Sequence, residues 1–269
     1  MKHLHKLPDK KKKIPRRHLC YRPKLEDLSA FCTATSETPI DIQALILDIP
    51  LSSQADFSQE IYAIIPIKET LWRVSCLIYR ENLLLVEATP EYLVKQLLHF
   101  AEHLDFPVYK KTLNHLLDCN SRLTPIATRH YSLFPSAGIS LPQTMWINPG
   151  RIEHILPRAK SSILCFENLF TLHVDCPIDA IHRRMLKSFW AHAILKREHD
   201  IFGTPTCTSL LEFLNVTSSK ETRTVLKSLQ YQHIPKYKNE FFKHYPKYNR
   251  MSIKKSVKRS VYAKLRIEE

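Results

Sequence analysis

Glycine is nearly missing from this chain: three in 269 residues, where about 7% is usual. That leaves few places where backbone N–H groups could fold into a nest around a phosphate, and no Gly-rich phosphate loop or Walker pattern occurs. The nucleophile elbow G-x-S-x-G and the zinc-protease pattern H-E-x-x-H are absent too. No C-x-x-C pair is found among the seven cysteines, and their number is odd. No apolar run approaches the roughly 18 residues of a spanning helix. No apolar h-region follows the basic start. These absences argue against nucleotide-dependent enzymes, disulfide scaffolds and membrane-spanning proteins. The expectation is a soluble cytoplasmic protein with reduced thiols, no cofactor, no catalytic residues and no metal. Cys165, His173, Cys176 and His182 are four potential ligands within eighteen positions, but their spacing matches no zinc module.

What the chain has in excess is positive charge, and the charge sits at its ends. The formal net charge is +14. Met1 to Lys24 holds ten Lys/Arg against Asp9, and Lys220 to Glu269 holds fourteen against four acidic residues, so the stretch between them carries −5. Basic ends around a mildly acidic body point to a polyanionic partner, most often a nucleic acid. With 44% hydrophobic and 25% charged residues, the composition is that of a globular protein.

Residues 1–24, with Lys10 to Lys13 and Arg16-Arg17, have almost nothing to bury and read as a disordered basic arm. From Pro39 to Ala88 come four β-branched-rich runs, 40–49, 61–67, 71–79 and 83–87. Pro50 to Ser53 and two further short separators suit an antiparallel sheet. The period then becomes helical, with Leu93, Leu97, Phe100 and Leu104 on one side and Thr89-Pro90 at the start. A second helix is predicted over 109–117. Between Thr128 and Ile155 lie two of the three glycines, Gly138 and Gly150, and the prolines Pro135, Pro142 and Pro149. Two short apolar runs, 131–134 and 145–147, read as a hairpin whose glycines serve positive φ or close backbone approach. Further strands are predicted at 162–166 and 169–174. The fold class is therefore α+β, a mostly antiparallel sheet with packed helices plus a helical basic C-terminal extension. Three segments follow: the arm at 1–24, an α+β domain at 25–202, and the extension at 203–269.

Asp175-Cys176-Pro177 is expected to open a long helix, Asp as cap and Pro in the first turn. One side carries Ile178, Met185, Leu186, Phe189 and Ala193. The opposite side carries Arg183, Arg184 and Lys187, with Lys196 and Arg197 in the last turn. That basic face suits phosphate contacts and equally suits plain solvated surface. After Phe202-Gly203-Thr204-Pro205, two short helices are predicted, Thr208 to Leu214 and a second from the capping-box pattern Ser218-Ser219-Lys220-Glu221 to about Gln230. Leu211, Leu214, Val216, Val225 and Leu229 are the expected contacts between them. A helix-turn-helix in this place would present Lys220, Arg223, Thr224 and Lys227, and a bland helical hairpin has the same pattern. From Tyr237 onward aromatics alternate with cations through Lys254, Lys255, Lys258 and Arg259, either as a base-stacking, phosphate-pairing segment or as a solvated tail.

Pro125-Ile126, Tyr131-Ser132-Leu133-Phe134-Pro135-Ser136, Pro142-Gln143 and Trp146-Ile147 together resemble the ComK family of competence transcription factors. That family carries a similar Pro-Ile, Leu-Phe-Pro-Thr/Ser and Pro-Gln before Trp-Ile in this order. The helix with Arg183, Arg184, Leu186 and Trp190 is similar to the family's amphipathic segment. The likeness covers residues 77–196. It departs over Thr89 to Leu104, where the family's Ser-Cys segment with spaced glycines is replaced by a plain helical pattern. The resemblance implies a transcriptional activator that binds A/T-rich double-stranded DNA as a homo-oligomer, partly through the minor groove, under control of a proteolytic adaptor. The competing reading is an RNA-binding or ribosome-associated basic protein without sequence readout.

Overall fold

A computed structural model describes residues 51–67, 73–118, 121–167 and 170–265, the last eleven as backbone only. The basic arm, the run at 40–49 and Cys20, Cys32 and Cys119 lie outside the described residues. The fold class is α+β, with six α-helices and two sheets among the described residues.

The larger sheet has seven strands: β1 (Leu51–Ser52), β2 (Ala63–Ile67), β3 (Val74–Ile78), β4 (Leu83–Val86), β5 (Ile126–Ala127), β6 (Ser132–Pro135) and β7 (Trp146–Ile147). Their order is β1-β4-β3-β2-β7-β6-β5. β2, β3 and β4 form the antiparallel meander that their short connections dictate. Leu51 and Ser52, expected to be a separator, instead form a strand running parallel to β4. The 131–134 and 145–147 runs make the expected hairpin, with Phe134 opposite Ile147 and Pro135 opposite Trp146. All five residues of both β2 and β3 are buried. Strands buried on both faces read as apolar runs without alternation, broken here only by Ser75 in β3, whose hydroxyl donates to the Ala88 carbonyl. A second, antiparallel sheet comprises β8 (Ile152–Pro157), β9 (Ser162–Phe166) and β10 (Thr171–Val174) in the order β10-β9-β8.

α1 (Pro90–Glu102) begins where Thr89 accepts a hydrogen bond from the Tyr92 N–H, and it ends on His103 in the left-handed region. Phe100, one of the four periodic apolar positions, faces outward and is 59% exposed. α2 (Phe106–Leu117) starts a turn earlier than expected, because Asp105 accepts from the Val108 N–H and caps it.

α3 (Ile178–Glu198) begins later than the sequence suggests. Pro177 occupies the cap position without a side-chain bond, and the Asp175 side chain is 95% exposed. Its second half is buried on nearly every side: Ser188, Phe189 and Ala191 through Leu195. A helix buried all round needs cover on two faces. One face lies on β5 and β6. The chain beyond Gly203 covers the other, through α4 (Leu210–Leu214), α5 (Lys220–Leu226) and α6 (Glu240–Leu265). Leu210, Phe213, Leu214, Leu226, Ile234 and Phe241 belong to the same apolar core as the sheet.

Candidate nucleic-acid interface

The central stretch is a joint. Gly150 sits so close to the α4–α5 turn that an added Cβ would lie 3.1 Å from the Val216 Cγ1. Close approach, as expected, is its role, and its φ is ordinary. Gly138 has neither constraint, since the nearest atom to an added Cβ is 3.7 Å away. Of the three glycines only Gly203 has positive φ, 76°.

Arg151 follows Gly150 and closes the joint. Its Nε donates to Glu60 at 3.0 Å and its Nη1 to Glu167 at 3.2 Å and to the Thr217 hydroxyl at 2.9 Å, while Nη2 also pairs with Glu60. The Tyr62 and Thr217 hydroxyls both donate to Glu167. Burial opposes ionisation of Glu167, but the bonds from Tyr62, Thr217 and Arg151 outweigh it and hold the carboxyl below its usual range. Burial pushes the Tyr62 phenol upward, and the Glu167 carboxylate beside it adds to the effect. Beside the joint opens a cleft of about 430 Å³ lined by Arg80, Glu81, Arg151 and Glu167. Its cations and carboxylates balance, so it offers no net charge to an anionic substrate.

α5 is fixed on the same foundation. The Ser219 hydroxyl donates to the Ile152 carbonyl at 2.7 Å. Glu221 is 4% exposed and accepts from the Ile155 N–H at 3.2 Å and from the His182 ring at 2.8 Å. The capping box uses Ser219 and Thr222, one position later than expected, which frees Glu221 to turn inward. The helix stops at Leu226, four residues early, because the chain turns back to pair with the start of α4. Leu210 N–H donates to Leu229 and Tyr231 N–H to Thr208, both at 2.8 Å. Asn215, at φ 54°, supplies the left-handed turn where glycine is commoner. Of the expected contacts Leu214 is buried in the seam, together with Leu210, Phe213 and Leu226, while Leu211, Val216, Val225 and Leu229 pack at its margin.

Glu221, Thr222 and Leu226 face inward, whereas Lys220, Arg223, Thr224 and Lys227 are exposed. At 100° per residue those four fall within an arc of about 100°. They form a row of three cations and a hydroxyl on a helix whose opposite side is fixed to β8 and α3.

The other expected positions separate into groups. Arg183 is exposed and Lys187 half-buried on α3. Arg184 does not belong to a free basic face, because its Nη1 donates to the Ser136 carbonyl and ties α3 to the β6–β7 hairpin. Arg197, expected in the basic last turn, is not part of a surface. It is 5% exposed and donates to the carbonyls of Ile234, Pro235 and Lys236, so no phosphate can reach it. Lys196 Nζ lies 5.5 Å from the centre of the Phe213 ring, and burial holds its pKa down. Lys254 is exposed on α6, and the side chains of Lys255, Lys258 and Arg259 lie outside the described residues.

The interleaved aromatics are likewise divided. Phe241 is fully buried, and the Tyr245 hydroxyl accepts from the Asp105 N–H at 2.7 Å, docking α6 on α2. Lys111 Nζ lies 4.6 Å from the Tyr248 ring centre. Tyr237 is 81% exposed. Sequence reasoning missed the Arg151–Glu60–Glu167–Thr217 joint, whose partners are scattered along the chain without a local motif. Its one local signal was the Gly150-Arg151 pair inside the Pro-rich stretch.

No protein-family model, curated protein or solved structure matches this chain. Among the described residues no group of three or more His, Cys, Asp or Glu is placed to hold a metal ion, and no helix is long and apolar enough to cross a membrane.

Proposed function

We propose that the chain is a DNA-binding transcriptional regulator that uses α5 as its principal contact with duplex DNA. The observation that carries this reading is the outer row Lys220, Arg223, Thr224 and Lys227 on a helix anchored from behind by Ser219, Glu221 and Leu226. The buried carboxylate, the capping box and the turn fixed by Arg151 hold this short helix in one orientation. A fixed orientation is what a helix needs to meet phosphates at set spacing. The cations neutralise phosphate charge and release counterions, which supplies affinity without sequence information. Thr224 lies within the row; its hydroxyl donates back to the Lys220 carbonyl at 2.9 Å, which leaves its lone pairs to accept from a base-edge donor. Arg183 on α3 and Lys254 on α6 are further exposed cations. The ComK resemblance supplies the sequence preference, A/T-rich sites, and the activator role.

Competition between A/T-rich duplex, G/C-rich duplex and single-stranded RNA at about 0.15 M salt tests the reading, since non-specific contacts are already weak there. The A/T-rich duplex should be retained. Equal retention of all three would replace this function by generic polyanion binding, and preference for the RNA would favour the ribosome-associated alternative.

A further inference from the structure

The aromatics and cations that alternate along α6 are sorted by side once the helix is in place. The rings dock it. Phe241 is buried and stacks on Tyr245 at 5.9 Å, and Tyr248 meets the rings of His115 on α2 and of His244 at 6.0 and 6.4 Å. With the Tyr245 hydroxyl bound to Asp105, these rings are occupied by the contact with α2 and are not available to stack on bases. Beyond Asn249 the packing ends. Residues 250–254 are all exposed, so every side of the helix there is bare, and its backbone continues to Leu265.

On the side away from the docked rings runs a row of cations. At 100° per residue Lys243, Lys247, Arg250 and Lys254 fall within an arc of about 60° and extend over roughly 16 Å of helix, and all four are exposed. Glu240 lies at the inner end of the row, 3.6 Å from the Lys243 Nζ, and no acidic residue follows it before Glu268. Lys247, Arg250 and Lys254 have no carboxylate partner among the described residues.

We propose that this row lies along the phosphate backbone of duplex DNA, which makes α6 a second contact that adds affinity without reading sequence. The inference rests on the DNA-binding reading above but not on α5. Charge complementarity selects the partner. Duplex DNA presents about one phosphate for each 1.7 Å of its axis, so a row of roughly 16 Å meets negative charge along its whole length. An anionic membrane would need one apolar face beside the cations. Met251 and Ile253, the exposed apolar residues beyond the docked turns, instead flank the row on opposite sides, about 160° apart, and the Phe242 ring is met by His199. An acidic protein surface would need an apolar centre for the contact, which the row lacks. Phosphate contacts need none.

The test measures binding of the full chain to A/T-rich and mixed-sequence duplexes over a salt series, with melting as the check on folding. Lys247→Ala, Arg250→Ala and Lys254→Ala combined should melt like the parent and weaken binding to both duplexes on the order of a hundred-fold at about 0.15 M salt. The slope of log K against log salt should flatten by about 2.7, and the ratio between the duplexes should stay the same. A second variant keeps the composition: Arg250→Ser with Ser252→Arg carries one charge about 160° round the helix. It should lose about five-fold in affinity and about 0.9 of slope, where net charge alone predicts no loss. A parent that binds duplex while both variants keep its slope overturns the α6 contact and leaves the regulator reading intact. A parent that binds neither duplex overturns both. A triple variant that flattens the slope beside a swap that does not reports net charge, and the row is wrong. A changed ratio between the duplexes would mean that α6 reads bases, and variants that keep DNA binding but lose single-stranded RNA or phosphatidylserine vesicles would assign the row to that partner; either result overturns the inference.

Discussion

His192 is 1% exposed and donates its ring N–H to the Arg129 carbonyl at 3.2 Å. Burial is the main reason its pKa falls to about 3, and the nearby charges of Lys196 and His130 push the same way against the carbonyl bond. Between the ordinary imidazole value near 6.5 and about 3, the unfolded chain takes up a proton that the folded chain refuses. Stability must therefore drop as pH falls through that window, by up to roughly 1.4 kcal/mol per unit. In urea melts at pH 6.5 and 4.5, the parent should lose about 2–3 kcal/mol more than His192→Gln does. Equal losses would place the acid sensitivity elsewhere. Two glycines offer a second test by thermal melting. Gly150→Ala forces its Cβ against Val216 and should cost about 1–3 kcal/mol. Gly138→Ala meets open van der Waals space and should be neutral or stabilising by up to about 1 kcal/mol.

At the scale of elements, α5 shows how a seven-residue helix too short to persist alone in water is held by its surroundings. Its outer row is separable from its anchors. Lys220→Ala, Arg223→Ala and Lys227→Ala combined should leave melting within about 0.5 kcal/mol per site. The same variant should weaken DNA binding and flatten the dependence of log K on log salt by about 0.9 for each phosphate no longer neutralised. An unchanged slope would remove α5 from the interface. Arg151→Ala is the converse case. It leaves Glu60 and Glu167, each about a quarter to a third exposed, without their cation. The expected cost is roughly 2–3 kcal/mol after allowance for that exposure, with the α4–α5 turn loosened. The apolar periodicities of α1 and α3 were legible in the sequence because one face of each packs on the sheet. The end of α5 was not legible, since the bonds that stop it come from Thr208 and Leu210, residues before the helix begins.

For the whole molecule, the break at Phe202–Gly203 separates loops, not cores. Ala191 through Leu195 on α3 are covered partly by residues beyond Gly203, so removal of 203–269 exposes a continuous apolar face. A chain ending at Phe202 should bind a hydrophobic dye strongly and lose its cooperative melt. A sharp transition with no dye binding would show that 25–202 folds by itself. Trp146, fully buried and with no hydrogen-bond partner for its Nε1 among the described residues, joins the hairpin to the meander through β2. Trp146→Ala should cost about 3–5 kcal/mol, and any loss of DNA binding should track unfolding. Soluble, folded Trp146→Ala protein that fails to bind would move the ring from core to interface.

The sequence by itself determined the α+β class, the antiparallel meander, the hairpin around Leu133-Phe134 and Trp146-Ile147, and the concentration of cations toward the ends. Each follows from local period, turn residues or composition, which need no knowledge of distant partners. Only the tertiary structure decided which cations stay at the surface. Arg197 and Arg223 are both helix arginines near apolar neighbours, yet Arg197 is enclosed by the loop at 234–236 and Arg223 faces solvent. The same holds for the aromatics: Phe241 fills the core while Phe202 and Tyr237 stand in water. Burial depends on what the chain brings back from far along the sequence, and that return is a property of packing which no local pattern encodes.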